Sequence, residues 1–149
     1  MKNMMVLAEH EKWLVLLSDM QQAYAVIASD LGNVQTAMIF GQRQIETAAA
    51  VAAYAPRAET TELARAYMVM GNILIMDYKF VTARSYFARA VPILKALRGY
   101  DKVQMYTILH GLGWIHLLKH EYQKAGEYLS EALFDREAAY GVDDIEGVQ

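Results

Sequence analysis

The chain has 149 residues, 14 Lys+Arg against 17 Asp+Glu for a net charge of −3, and no cysteine. Hydrophobic residues at 55% and charged residues at 21% fit a folded globular protein with one core of ordinary size, built without disulfides. The lack of cysteine removes thiolate zinc sites, iron–sulfur clusters and cysteine nucleophiles. The lack of a basic run argues against nucleic acid, whose phosphates need clustered Lys and Arg.

The apolar start, Met1 to Ala8, is interrupted by Glu9-His10-Glu11-Lys12 before it reaches the length of a signal-peptide core. No stretch reaches the ~18 apolar residues of a membrane span. The expectation is a soluble, cytoplasmic protein without a membrane partner. Only two prolines imply long uninterrupted helices. Trp13, Leu14, Leu17, Met20, Tyr24, Ile27 and Leu31 recur at three- and four-residue steps, as one face of an amphipathic helix does. Leu31-Gly32-Asn33 then offers Gly or Asn for a left-handed cap.

A second, alanine-rich helix is predicted from about Val34 to Tyr54, closed by Pro56 in the loop Ala55–Glu59. Thr60 or Thr61 can cap the third helix, which carries Leu63, Tyr67, Met70, Leu74 and Ile75. After the turn Asp77-Tyr78-Lys79, a fourth helix covers about Val81 to Leu97, with a kink or early end expected at Pro92. Arg98-Gly99-Tyr100-Asp101 is a break. The fifth helix spans about Lys102 to Leu118, Lys119-His120-Glu121 makes a turn, and the sixth runs from about Tyr122 to Tyr140. Gly141 ends it before the acidic segment 142–149. No segment alternates β-branched residues as a strand would.

Two segments superimpose without gaps at an offset of 42. Gly71 pairs with Gly113, Phe80 with Tyr122, Ala83 with Ala125, Tyr86 with Tyr128 and Ala90 with Ala132. Small residues fall where two helices approach closely, and large ones fill the gap between them. A single helix pair cannot bury both its faces, so such units stack. A weaker copy lies 46 residues earlier, where Val34, Ala37 and Phe40 match Phe80, Ala83 and Tyr86, and Ala25 stands for Gly71.

Met70-Gly71 with Leu74, Ala83, Phe87 and Ala90 resembles the tetratricopeptide repeat, as does Leu112-Gly113 with Ala125, Leu129 and Ala132. The first copy departs from the pattern, with Gly41 and Gln44 in place of an aromatic and an alanine. The 42-residue spacing and the ending Ala132-Leu133-Phe134-Asp135-Arg136-Glu137-Ala138-Ala139-Tyr140-Gly141 are similar to the kinesin-light-chain variety of the repeat. The resemblance implies an all-α fold, a right-handed α-solenoid of three helix pairs and about six helices, with no β-sheet. Residues 1–17 would form a helical extension and residues 18–141 three repeats at about 18–55, 64–98 and 106–141. Residues 142–149 would be an acidic tail or the start of a further repeat.

In that family the first helix of each pair lines a concave groove. Carried over by position, the first copy presents Asp19, Gln22, Val26, Ser29 and Asp30. The second presents Arg65, Met68, Asn72, Ile75 and Met76, and the third Thr107, His110, Trp114, Leu117 and Leu118. Some members clamp a terminal carboxylate with Lys, Asn and Arg. Only Arg65 and Asn72 remain here, so that mode is not expected, although the Asn72 amide can hold an extended backbone. The apolar end, with Met68, Met76, Trp114, Leu117 and Leu118, suits helix-in-groove binding or else belongs to the core.

No catalytic constellation emerges. His116 and His120 are spaced i,i+4, as zinc ligands on one helix face are, but His-Leu-Leu-Lys-His lacks the hydrolytic glutamate and a third ligand. Asp143, Asp144 and Glu146 do not follow the calcium-loop pattern. Gly111-Leu112-Gly113 lies within a helix and not at a strand–helix turn, and none of Ser18, Ser29, Ser85 and Ser130 sits in a nucleophile elbow. Neither metal nor cofactor is expected. The reading is a non-catalytic module that binds a protein or peptide partner through Arg65, Met68, Asn72, Met76, His110, Trp114 and Leu117. The main alternative is a homo-oligomer joined through Tyr128, Leu129, Ala132 and Leu133 on an uncapped last repeat, or a piece of a longer array in a signalling protein. A sensor or enzyme with a small molecule held between helices is a minor one.

Overall fold

A computed structural model describes residues 2–54, 59–96 and 102–140. Among these, six α-helices and no strands occur: α1 (Lys2–Asp30), α2 (Val34–Tyr54), α3 (Glu59–Met76), α4 (Phe80–Ala96), α5 (Lys102–Leu118) and α6 (Tyr122–Tyr140). The all-α class and the pairing of helices agree with the sequence. The expected loop at 55–58, the break at 98–101, the stop at Gly141 and the segment 142–149 lie outside the described residues. The chain divides into two compact units, residues 1–93 and 94–149.

The turns inside the three helix pairs share one hydrogen-bond pattern. At the end of α1, Gly32 N–H donates to Ser29 O and Asn33 N–H to Ala28 O, with Gly32 at φ 82°. Tyr78 (φ 59°) and Lys79 repeat this on Ile75 O and Leu74 O. His120 (φ 63°) and Glu121 repeat it on Leu117 O and His116 O. Each is a Schellman closure, which satisfies the last carbonyls of a helix by turning one residue left-handed. The next residue opens the following helix by accepting from an amide four positions on: Ala37 to Asn33, Ala83 to Lys79, and Ala125 to Glu121. In the first copy Asn33 also accepts the Thr36 amide through its side chain, as an N-cap does. The turns recur at the 46- and 42-residue offsets of the sequence.

Two local expectations change. Helix α3 begins at Glu59, so Thr60 and Thr61 lie inside its first turn and do not cap it. Helix α4 runs past Pro92 to Ala96, so the early end does not occur. Pro92 and Ala88, whose carbonyl loses its intrahelical donor, are both exposed, and water can replace that donor.

In the first unit, Ala25 and Ala28 of α1, Ala37 of α2, and Val69 and Ile73 of α3 form a buried cluster, with Val34, Met38 and Phe40 packed against it. The face of α1 read from the sequence as its apolar side is not the buried one. Trp13, Leu17, Met20, Tyr24, Ile27 and Leu31 are exposed, whereas Ser18, Ala25, Ala28 and Ser29 are buried. Small side chains let helix backbones come close, and closeness rather than side-chain size selects the face that α2 and α3 cover.

Small and large residues also exchange places between repeats. A Cβ on Gly71 would stand 2.7 Å from the Phe87 ring, and one on Gly113 would stand 2.7 Å from Leu129 Cγ. In the first copy, Gly41 occupies the position of Phe87 and Leu129. The space it leaves is taken by α3, since a Cβ there would meet Met70 Cε at 2.9 Å and Ile73 Cδ1 at 3.4 Å. Gln44, standing where the other copies have Ala90 and Ala132, is fully buried and donates from Nε2 to Gln22 Oε1 at 3.1 Å. The degenerate first copy is therefore a repacked one.

Replacing Gly71 by alanine tests this packing. Alanine gains about 1 kcal/mol of helix propensity, but its methyl must displace a fully buried ring, and overpacking of that kind costs about 1–3 kcal/mol. We expect Gly71→Ala to lower the thermal midpoint measured by circular dichroism. Gly126→Ala, at an exposed helical position with nothing within 4 Å, should raise it.

Candidate partner-binding site

In the first unit, α1 and α3 bring four of the predicted groove positions together. Asp19, Gln22 and Val26 from α1 and Arg65 from α3 line an open cleft of about 480 Å³, with Ala23 and Ile27 on its margin. Arg65 is held by carboxylates: its Nη2 donates to Asp19 Oδ1 at 2.6 Å and to Glu62 Oε2. Ser18 Oγ adds a donor to Glu62 at 3.4 Å. One guanidinium between two carboxylates leaves this cleft net negative, so it suits a ligand's N–H donors or cationic groups better than its carboxylates. Further along α3, Asn72 and Met76 are exposed while Met68 and Ile75 are half-buried. The buried Ser29 hydroxyl donates to Met76 Sδ at 2.9 Å.

In the second unit, α5 carries a ladder of rings at i,i+4 spacing. Tyr106 lies 6.0 Å from His110, and His110 is 6.3 Å from Trp114 and only 12° from parallel to it. Trp114 is 43% exposed, which places it at the surface and not in the core. Leu118 is exposed on the same helix, and Thr107 and Leu117 are half-buried.

The four residues of the expected self-association face part company. Ala132 is buried, Leu129 presses on Gly113, and the Tyr128 ring stacks on His116 at 5.3 Å and 5°. Of the four, Leu133 alone is exposed, and α5 meets Tyr128 through His116 and Leu129 through Gly113. The rest of the exposed surface of α6 includes Lys124, Glu127 and Glu131.

His116 and His120 do not share a helix face, since α5 ends at Leu118 and His120 is the left-handed turn residue. His116 is buried with Nδ1 3.3 Å from Glu121 Oε2, while the exposed His120 has Nδ1 2.8 Å from the Tyr122 hydroxyl. Among the described residues no group of three or more His, Asp or Glu is placed to hold a metal ion, and no helix is long and apolar enough to cross a membrane.

Sequence reasoning missed three contributors. Glu62, three residues before Arg65, was signalled by its charge and spacing. Tyr106, four before His110, was signalled by helical spacing alone. Ala23 had no signal, since a small residue beside a cleft looks like any other alanine.

Glu121 joins the α5–α6 turn to both histidine and lysine. Partial burial pushes its carboxyl up, but the His116 hydrogen bond and the charges of Lys119, His116 and Lys124 outweigh this and hold it below its ordinary value. A carboxyl depressed in the folded state stabilises the fold above its unfolded value and loses that contribution as pH falls through its folded value. Glu121→Gln should thus lower the thermal midpoint at neutral pH. It should also flatten the part of the wild-type loss that occurs on acidification below about pH 5; parallel melting-against-pH curves for the two proteins would refute this role.

No curated protein and no solved structure matches the chain. A tetratricopeptide repeat family model matches residues 62–133, which is 72 of the 149 residues. That span runs from α3 into α6 and so takes in the two pairs with a 42-residue offset, leaving out the repacked α1–α2 pair. The match, together with the recurring turn and the small-against-large contacts, supports the tetratricopeptide repeat family for this chain.

Proposed function

We propose that this chain is a non-catalytic protein-interaction module, organised as repeats at about 18–55, 64–98 and 106–141, which binds a peptide or helix along the first helix of each pair. The observation that carries this reading is the exposure of Asn72, Met76 and Trp114 at groove positions, on helices whose neighbouring apolar residues Ile73, Leu74 and Ile115 are buried. Exposed Trp, Met and Asn side chains are what binding surfaces use: the ring and thioether supply apolar area, and the amide fixes a ligand backbone. The acidic balance around Arg65 favours a partner that brings N–H donors or basic side chains to the α1–α3 cleft. The 42-residue spacing favours the kinesin-light-chain variety of the repeat, and a cytoplasmic location accords with this reading.

Affinity purification with the whole chain as bait, followed by mass spectrometry, identifies the partner. Against that partner, Trp114→Ala and Asn72→Ala should each weaken binding roughly tenfold or more, with circular dichroism unchanged. Full affinity in both variants would remove the groove from the interaction.

A further inference from the structure

The exposed apolar side of α1 has a spacing of its own. Trp13, Leu17, Met20, Tyr24, Ile27 and Leu31 follow one another at steps of 4, 3, 4, 3 and 4, the 3.5-residue period of a helix that packs lengthwise on another helix. All six are exposed, as is Leu16 beside them, and no Asp, Glu, Lys or Arg occupies a position of the stripe, Asp19 and Asp30 lying on its flank. Register with the other repeats marks the same side as a helix-docking face. Met20, Tyr24 and Ile27 stand where α3 has Ala66, Met70 and Ile73, and where α5 has Ile108, Leu112 and Ile115, all of them buried. In α3, Met70 and Ile73 lie against α2 at Gly41. Helix α1 thus presents, uncovered, a surface whose equivalents are covered.

We propose that the occupant is α1 of a second copy of this chain, lying antiparallel across a two-fold axis near Gln22. The series 4-3-4-3-4 reads the same in both directions, so that one operation sets every large residue against another. Trp13 falls opposite Leu31 of the partner subunit, Leu17 opposite Ile27 of the partner subunit, and Met20 opposite Tyr24 of the partner subunit. Each aromatic meets an aliphatic chain, and the remaining pair is aliphatic on aliphatic. Charge agrees with this orientation. Lys12 and Asp30 are 18 residues apart, five full turns, and so stand on the same flank of the stripe at opposite ends. An antiparallel pair keeps like flanks on the same side of the contact and brings Lys12 beside Asp30 of the partner subunit at each end, while a parallel pair puts like flanks on opposite sides and loses both pairings.

Area agrees as well. Seven apolar side chains between 42% and 80% exposed, spread over ~27 Å of helix, offer surface of the order of the roughly 800 Å² per partner that a stable interface buries. The α6 surface is a poorer occupant, since docking it would desolvate Lys124, Glu127 and Glu131 against a stripe without charges. The stripe shares Ile27 with the margin of the α1–α3 cleft, whereas Asn72 and Trp114 take no part in it.

Sedimentation velocity of the whole chain over a hundredfold concentration range tests the proposal. The expected result is a species of twice the 16.8 kDa protomer mass. The double variant Met20→Glu, Ile27→Glu should weaken dimerisation by roughly 100-fold or more and keep the helical circular dichroism signal, since both side chains already face solvent. A monomer at every concentration overturns the proposal, as does a dimer indifferent to the double variant or binding of this stripe to a different protein only. The cysteine-free sequence supplies a second measurement that needs no disruptive substitution. Met20→Cys mixed with Tyr24→Cys should form an oxidative cross-link in higher yield than either variant alone. Self-cross-linking of each variant at equal yield overturns the antiparallel arrangement.

Discussion

Everything in the two helix pairs at 59–96 and 102–140 follows from a turn that is only three residues long. Because the helix closes on a left-handed residue and the next residue already opens the following helix, the two helices of a pair cannot slide past one another. That register sets position i of the first helix against i+16 of the second, as Gly71 meets Phe87 and Gly113 meets Leu129. Tyr78 and His120 hold the left-handed conformation without being glycine, at a steric cost of about 1 kcal/mol each, offset by the carbonyls that the closure satisfies. Close backbone approach, the buried alanines and the direction in which each groove side chain points all descend from this constraint.

The elements were legible in the sequence because their punctuation is local. Gly32-Asn33, Asp77-Tyr78-Lys79 and Lys119-His120-Glu121 mark the turns, and the offsets of 46 and 42 return as identical hydrogen-bond patterns. Which face of a helix goes inside was less legible. In α1 the hydrophobic period points to Trp13 and Met20, while the packing uses Ser18, Ala25, Ala28 and Ser29, because hydropathy records a side chain's aversion to water and not how closely its backbone may be approached. The same limit applies to Tyr128 and Leu129. Their contacts come from α5, through His116 and the notch at Gly113, and no pattern within α6 encodes them.

Of the proposed binding positions, those on α1 and α3 were more readable than those on α5. Asp19, Gln22, Val26 and Arg65 meet around one cleft, as equivalent positions on adjacent first helices must. What position alone could not give was the state of Arg65. Its guanidinium is engaged by Asp19 and Glu62, so the cleft offers less positive character than a lone arginine suggests. On α5, exposure of Trp114 depended on packing that a list of apolar residues does not fix; its stacking on His110 gives the ring a firm orientation and a polar neighbour.

The notch at Gly41 makes one methionine a witness to motion. Met70 is buried with its terminal methyl seated where any larger residue on α2 would clash, whereas Met20 and Met76 stand in solvent. Peroxide reaches the outer sulfurs at once but reaches Met70 only when α2 lifts from α3, and the sulfoxide so formed is too polar to return to an apolar notch. The rate at which Met70 is oxidised, set against that of Met76 on the same helix, therefore reads out how often the first unit opens, with the exposed residue as an internal clock.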